Sequence, residues 1–205
     1  MHICIGDFLL DIVQNSFEAN STKVGLTIRQ TEQWFDCLVQ DNGKGMDAEV
    51  QKRVLDPFYT DGEKHAKRKV GLGLPFLVQA CEACEGRFSL HSEVGSGTEV
   101  AFSFNLQHVD APPIGDLVST FVLLLSHPSA KQLVIKRSLE TAKGTGDYTL
   151  DKEELEDILG GLETAGELNL LRQYIASGEQ ELMQYYQEAF LHTDEHMKFS
   201  KQQER

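Results

Sequence analysis

At 205 residues, 40% hydrophobic and 25% charged, the chain is long enough for one large core, or a core with an appendage, and needs no disulfide staple. A formal net charge of −13, spread over both halves, disfavours nonspecific binding to nucleic acid or an anionic membrane, because phosphate would be repelled, and leaves room for one small basic site. Cys4, Cys37, Cys81 and Cys84 follow no signal-peptide pattern, and the longest apolar run, Phe121–Leu125, is too short for a bilayer, so a cytoplasmic protein with reduced thiols is expected.

Residues 7–19 (DFLLDIVQNSFEA) have the spacing of a helix that buries Phe8, Leu9, Ile12, Val13 and Ser16, with Asp7 as its N-cap. Two strands follow, 24–29 and 34–40, and the second runs into the loop Asp41-Asn42-Gly43-Lys44-Gly45-Met46. A short helix capped by Asp47 covers 47–55. Residues 56–70 are aperiodic, polar and basic, and read as a mobile loop. A second helix, 71–84, opens on Gly71-Leu72-Gly73-Leu74, and strands over 86–92 and 99–104 flank the turn Gly95-Ser96-Gly97. Ala111-Pro112-Pro113 is the clearest break. Beyond it, 117–125 and 132–139 read as the two arms of a hairpin, 147–150 as a short strand, and 152–159 as a helix started by Asp151 and stopped by Gly160-Gly161. Helical patterns cover 167–177 and 179–191, and a polar tail follows.

A nucleotide pocket without a Walker A loop must read the base, hold a metal against the phosphates and offer amide donors to phosphate oxygens. Asp11 and Asn15, four apart, share one helix face. An Asn oxygen is a hard ligand suited to Mg²⁺, and a carboxylate one turn earlier can take the proton of an attacking water. Asp41 at a strand end can accept the exocyclic amine of adenine, while Gly43 and Gly45 let backbone approach a flat base. The amides at Gly71 and Gly73 head a helix whose dipole favours phosphate, with Lys64, Lys67, Arg68 and Lys69 just upstream. The hydroxyl of Thr98 sits at a strand start. Each feature also has an ordinary reading: surface polar residues, an Asn-Gly turn, a solvated basic loop, a hairpin. Cys81 and Cys84 read as small buried residues, and the histidines as surface groups.

Taken in order, Asn15, Asp41-x-Gly43-x-Gly45, Gly71-x-Gly73 and Gly97-Thr98 resemble the N, G1, G2 and G3 boxes of the GHKL (Bergerat-fold) ATPase superfamily. Pro57-Phe58-Tyr59-Thr60 resembles the F box that opens the ATP lid of histidine kinases. The resemblance covers about residues 7–104. It implies a two-layer α/β sandwich with helices on one face of a mixed sheet, ATP and Mg²⁺ as cofactors, Asn15 as metal ligand, and Asp41, Gly43, Gly45, Met46, Phe58, Gly71, Leu72, Gly73, Leu74 and Thr98 as nucleotide contacts. The N box carries Asp11 where the ATPase branch has Glu; as a base, Asp11 implies slow hydrolysis coupled to lid movement and partner binding. The histidine-kinase-like lid leaves open a protein kinase acting in trans, and ATP binding without catalysis is a third reading. No phosphoacceptor segment is recognised before the N box. The expected organisation is an ATP-binding domain over 1–110, a small α/β extension over 111–192 and a flexible tail over 193–205, with a protein partner docking on the lid or the extension.

Overall fold

The computed structural model describes residues 3–56 and 72–200, of which 186–200 by backbone alone. The expected lid, 56–70, falls almost wholly outside the described residues, as do Phe58, Gly71, Lys64, Lys67, Arg68 and Lys69.

The chain runs α1 (Ile5–Glu18), β1 (Lys23–Gln30), β2 (Trp34–Asp41), α2 (Ala48–Val54), α3 (Gly73–Ala83), β3 (Arg87–Glu93), β4 (Gly97–Asn105), α4 (Leu117–Leu125), β5 (Gln132–Thr141), β6 (Gly144–Asp151), α5 (Lys152–Leu159) and α6 (Ala165–Ser200). The strands form one mixed six-stranded sheet in the order β3-β4-β2-β1-β5-β6. Only β1 and β5 run parallel; the other neighbours are antiparallel. Period-two burial places Val24, Leu26 and Ile28 of β1 and Phe35, Cys37 and Val39 of β2 on the helix side. There α1 meets β1 and β2, α3 meets β3 and β4, and α6 meets β5 and β6, with α4 between α1 and α6. The result is the expected two-layer α/β sandwich.

Helix α1 starts earlier than the sequence reading has it. Cys4 is its N-cap, and Asp7 lies at the third helical position, where its carboxylate accepts the Ile3 N–H (2.7 Å) and the Cys4 N–H (3.1 Å). Asn20, at φ +59°, ends the helix in the left-handed region that asparagine tolerates. Asp47 caps α2 by accepting from Glu49 N–H (2.9 Å) and Val50 N–H (2.8 Å). Asp151 caps α5, which stops at Gly160 with φ +83°.

The hairpin with arms over 117–125 and 132–139 is not formed. Leu117–Leu125 is helix α4, and the actual hairpin pairs β5 with β6. Asp116 starts α4 by accepting the Ser119 N–H at 3.0 Å. The run is apolar nearly all round because α1 and α6 flank it, and Leu123 is its one largely exposed apolar side chain. The C-terminal half therefore adds strands to the same sheet, since β5 lies alongside β1 from Lys23↔Gln132 to Gln30↔Leu139. The Pro112-Pro113 stretch is tied to the head of α1: Ile5 N–H donates to the Pro113 carbonyl (2.8 Å) and Gly6 N–H to that of Ile114 (3.1 Å).

Candidate functional site

Asp41 ends β2 at the mouth of the helix–sheet interface. Its Oδ1 accepts the Gly43 N–H (2.8 Å), an Asx turn that reverses the chain. Its Oδ2 accepts from the hydroxyl of Ser16 on α1 (2.8 Å). Strand end and helix are thereby joined through the residue next to Asn15. Asn42 makes a second clasp: its Oδ1 accepts the Thr22 and Lys23 amides (each 2.9 Å), and its Nδ2 donates to Thr22 Oγ1 (2.9 Å). Lys44 N–H donates to the Ala19 carbonyl (3.0 Å).

The glycines are fixed by close approach. A Cβ on Gly43 would stand 2.8 Å from the Ala19 Cβ and 2.9 Å from Asp41 Oδ1. Gly45 has φ +63°, and its Cβ would lie 1.9 Å from the Glu93 carbonyl oxygen. Gly97 has φ +118°, and its Cβ would lie 1.9 Å from the Asp41 carbonyl oxygen. The loop after β2 and the turn before β4 thus interlock backbone to backbone, and Gly95 N–H donates to the Lys44 carbonyl (2.9 Å). Thr98 stands opposite Asp41 in the β2–β4 register. Its hydroxyl lies 2.9 Å from Ser92 Oγ, which accepts the Met46 N–H (2.9 Å) and sits 2.9 Å from the Gly97 carbonyl. Gln51 of α2 donates to the Met46 (3.1 Å) and Ser92 (2.8 Å) carbonyls.

One turn of α1 before Asn15, half-buried Asp11 packs against the head of α3. A Cβ on Gly73 would meet Asp11 Oδ2 at 2.9 Å, so that glycine makes room for the carboxylate. Leu72 is the N-cap residue of α3 and has no capping side-chain bond; Leu74 is half-buried beside it. Pro75 is tolerated in the first turn, where its missing N–H would have no partner. Asn15 is exposed, with its side chain away from the core. Asp11 with Gly73, and Asp41 with Gly43, Gly97 and Thr98, are thus two clusters at the same end of the sandwich, linked through α1 and the Ser16 bond.

Ser16, Asn42, Gln51 and Ser92 are the residues that sequence reasoning missed. Ser16 was legible only as a buried helix position, and Ser92 only as a strand residue. Their partners are 25 and six positions away, beyond any local pattern. Two cavities, of about 440 Å³ and 540 Å³, lie away from this end: one between Gln30, Asp116, Arg137 and Glu179, the other on the open sheet face around Thr27, Leu38 and Ala101. Cys37, Cys81 and Cys84 are buried free thiols, and burial pushes the Cys81 thiol up to about 12, away from the thiolate a metal or redox role requires. His127 is half-buried rather than on the surface; it stacks on Phe17 with ring centroids 5.0 Å apart. Among the described residues no helix is long and apolar enough to cross a membrane.

A mixed sheet covered on one face by α1 and α3, with interlocked glycine turns at the strand end, defines an α/β sandwich of the Bergerat type. The family model "Histidine kinase-, DNA gyrase B-, and HSP90-like ATPase" matches residues 5–108, just over half of the chain, and the chain belongs to that family. Similar curated proteins include sporulation kinase C of Bacillus subtilis (31% identical over 91 residues, 43% of this chain) and the heme sensor protein HssS of Staphylococcus saprophyticus (28% over 96 residues, 46% of this chain). The chain spans 20% of the length of each. A similar solved structure is the catalytic domain of histidine kinase ThkA, 21% identical with a TM-score of 0.38, covering 48% of this chain and 64% of that one.

Proposed function

We propose that this chain binds Mg·ATP at the end of the sandwich framed by α1, the loop after β2 and the head of α3, and that it hydrolyses the nucleotide slowly. One observation carries the reading: Ser16, the α1 residue next to Asn15, donates to Asp41, so the base-reading carboxylate and the metal-reaching amide start from one anchored point. Gly43, Gly45 and Gly97 let the loop after β2 and the turn before β4 close on each other backbone to backbone, which holds Asp41 and Thr98 side by side at the strand ends. The donor set fits as well. Asn15 offers an exposed amide oxygen, Mg²⁺ takes most of its remaining ligands from phosphate and water, and the amides heading α3 suit anionic oxygens. Bound magnesium supplies charge neutralisation at the phosphates.

In this reading Asp41 accepts the adenine amine through the lone pairs that Ser16 and Gly43 leave open. Asn15 orients the metal, and Asp11 takes the proton of the attacking water. With Asp in place of Glu, the carboxylate sits one methylene further from any group beyond the helix surface, which favours slow turnover. Phosphate release measured with Mg·ATP should fall about a hundredfold in Asp11→Asn while ATP affinity holds. Identical rates would remove Asp11 from catalysis.

A second reading, phosphoryl transfer to a His or Ser of a protein partner, is favoured by the match to sporulation kinase C. γ-Labelled ATP incubated with lysate of the source organism would then label a protein; release of free phosphate alone supports hydrolysis. The partner surface in either reading is the lid or the C-terminal extension over 111–192.

A further inference from the structure

We infer that Ser16 is a specificity-determining residue, which sets the preference for adenine by fixing the Asp41 carboxylate in one orientation; the inference rests on the nucleotide-pocket reading above. Ser16 is 4% exposed, yet its hydroxyl is not spent on its own helix: the contact to the Ile12 carbonyl is long, at 3.5 Å, whereas that to Asp41 Oδ2 is 2.8 Å. A buried hydroxyl aimed at a carboxylate across two elements makes a charge-assisted bond, the strong kind. Each Asp41 oxygen is now held by one donor, Oδ1 by the Gly43 amide and Oδ2 by Ser16. Rotation about χ2 would break both bonds, so the carboxylate has a single favoured plane.

The consequence is selectivity. Each oxygen accepts one protein hydrogen bond and keeps acceptor capacity for a base amine. A purine with an amine at C6 supplies the donor this carboxylate needs. A purine with a carbonyl there sets oxygen against oxygen. Without Ser16, Oδ2 would take a water and the carboxylate could turn, which relaxes the discrimination. The hydroxyl of Ser16 cannot serve a C6 carbonyl instead while it is donated to Asp41. Ser16 also sits where its own carbonyl accepts from Ser21 Oγ (2.7 Å), which pins the C-terminal turn of α1 and keeps the hydroxyl in place.

The test is calorimetric affinity of the full chain for ATP and for inosine triphosphate, which carries a carbonyl at C6, with Mg²⁺ present. Wild type should prefer ATP. Ser16→Ala should weaken ATP by about five- to tenfold and narrow the ATP-to-inosine-triphosphate ratio by a similar factor. In an Asp41→Asn background the same serine change should have little further effect on ATP, which a merely structural serine would not show. Ser16→Thr keeps the hydroxyl and should keep the ratio, which guards against an alanine variant that folds poorly. A Ser16→Ala protein with the full wild-type ratio, or additive effects of the two changes, overturns the role of Ser16 and leaves the pocket standing. A wild type that binds neither nucleotide overturns the pocket and the inference with it.

Discussion

Gly97 and Gly45 bear the tightest constraint at the candidate pocket, because each would drive a Cβ to 1.9 Å from a carbonyl oxygen and each has a positive φ. The obstruction is backbone on both sides, so no side chain can swing away. Gly97→Ala should cost about 2–4 kcal/mol in urea denaturation and abolish ATP binding in the fraction that folds. A loss under about 0.5 kcal/mol would mean that the two turns are not interlocked as described. At this scale the sequence was informative about backbone and poor about wiring. Gly43, Gly45 and Gly97 stand out because a residue without Cβ at a strand end needs a reason. Ser16 and Ser92 do not, because a serine's importance lies in which distant atom its hydroxyl meets.

Helix α4 shows what a short apolar run conceals. Its Val118, Thr120, Phe121 and Val122 favour a strand by propensity, and burial between α1 and α6 removes the polar face that would have revealed helical period. The legible signal was Asp116, three residues before Ser119, an N-cap pattern. Hydrogen bonds from the Ser119 side chain and amide, aided by the Arg172 charge, hold the Asp116 carboxyl below the usual carboxylate range. A lowered folded value means that its stabilisation is fully present above the unfolded value of about 3.9 and is lost as pH falls through the folded one. Asp116→Ala should therefore cost about 1 kcal/mol at neutral pH. Its melting temperature should converge on that of wild type as the medium is acidified below about pH 4. A gap that persists unchanged at low pH would assign the loss to packing. By contrast α1, α2, α5 and the strands β1 to β4 were legible within a few residues, because each has a polar face and a cap or turn at its ends.

Across the whole molecule, the C-terminal half is joined to the N-terminal half by one continuous sheet and by a buried polar knot. Arg137 of β5, 1% exposed, donates to Glu179 of α6 (3.2 Å), to the Ser138 carbonyl (2.8 Å) and to Gln30 at the end of β1, with its guanidinium over the Phe35 ring. Tyr148 donates to the same Glu179 oxygen (2.6 Å), and burial pushes its hydroxyl pKa up, so it remains a donor. Arg137→Met should cost about 3 kcal/mol in urea denaturation, since half-buried Glu179 loses its counter-charge and keeps the Tyr148 hydroxyl alone; a loss under about 1 kcal/mol would mean that the pair does not anchor α6. None of this was legible in sequence, because Arg137 and Glu179 each read as one more charge on an amphipathic element. The sandwich itself was legible, since the order of the boxes fixes which strand ends meet α1. The proposed reading of adenine by Asp41 in a Mg·ATP pocket is open to titration calorimetry of Mg·ATP into wild type and Asp41→Asn. Wild type should bind saturably and only with magnesium, and the variant should bind more weakly by about 1.5–3 kcal/mol. Equal affinity for the two proteins, or none for wild type, would contradict it.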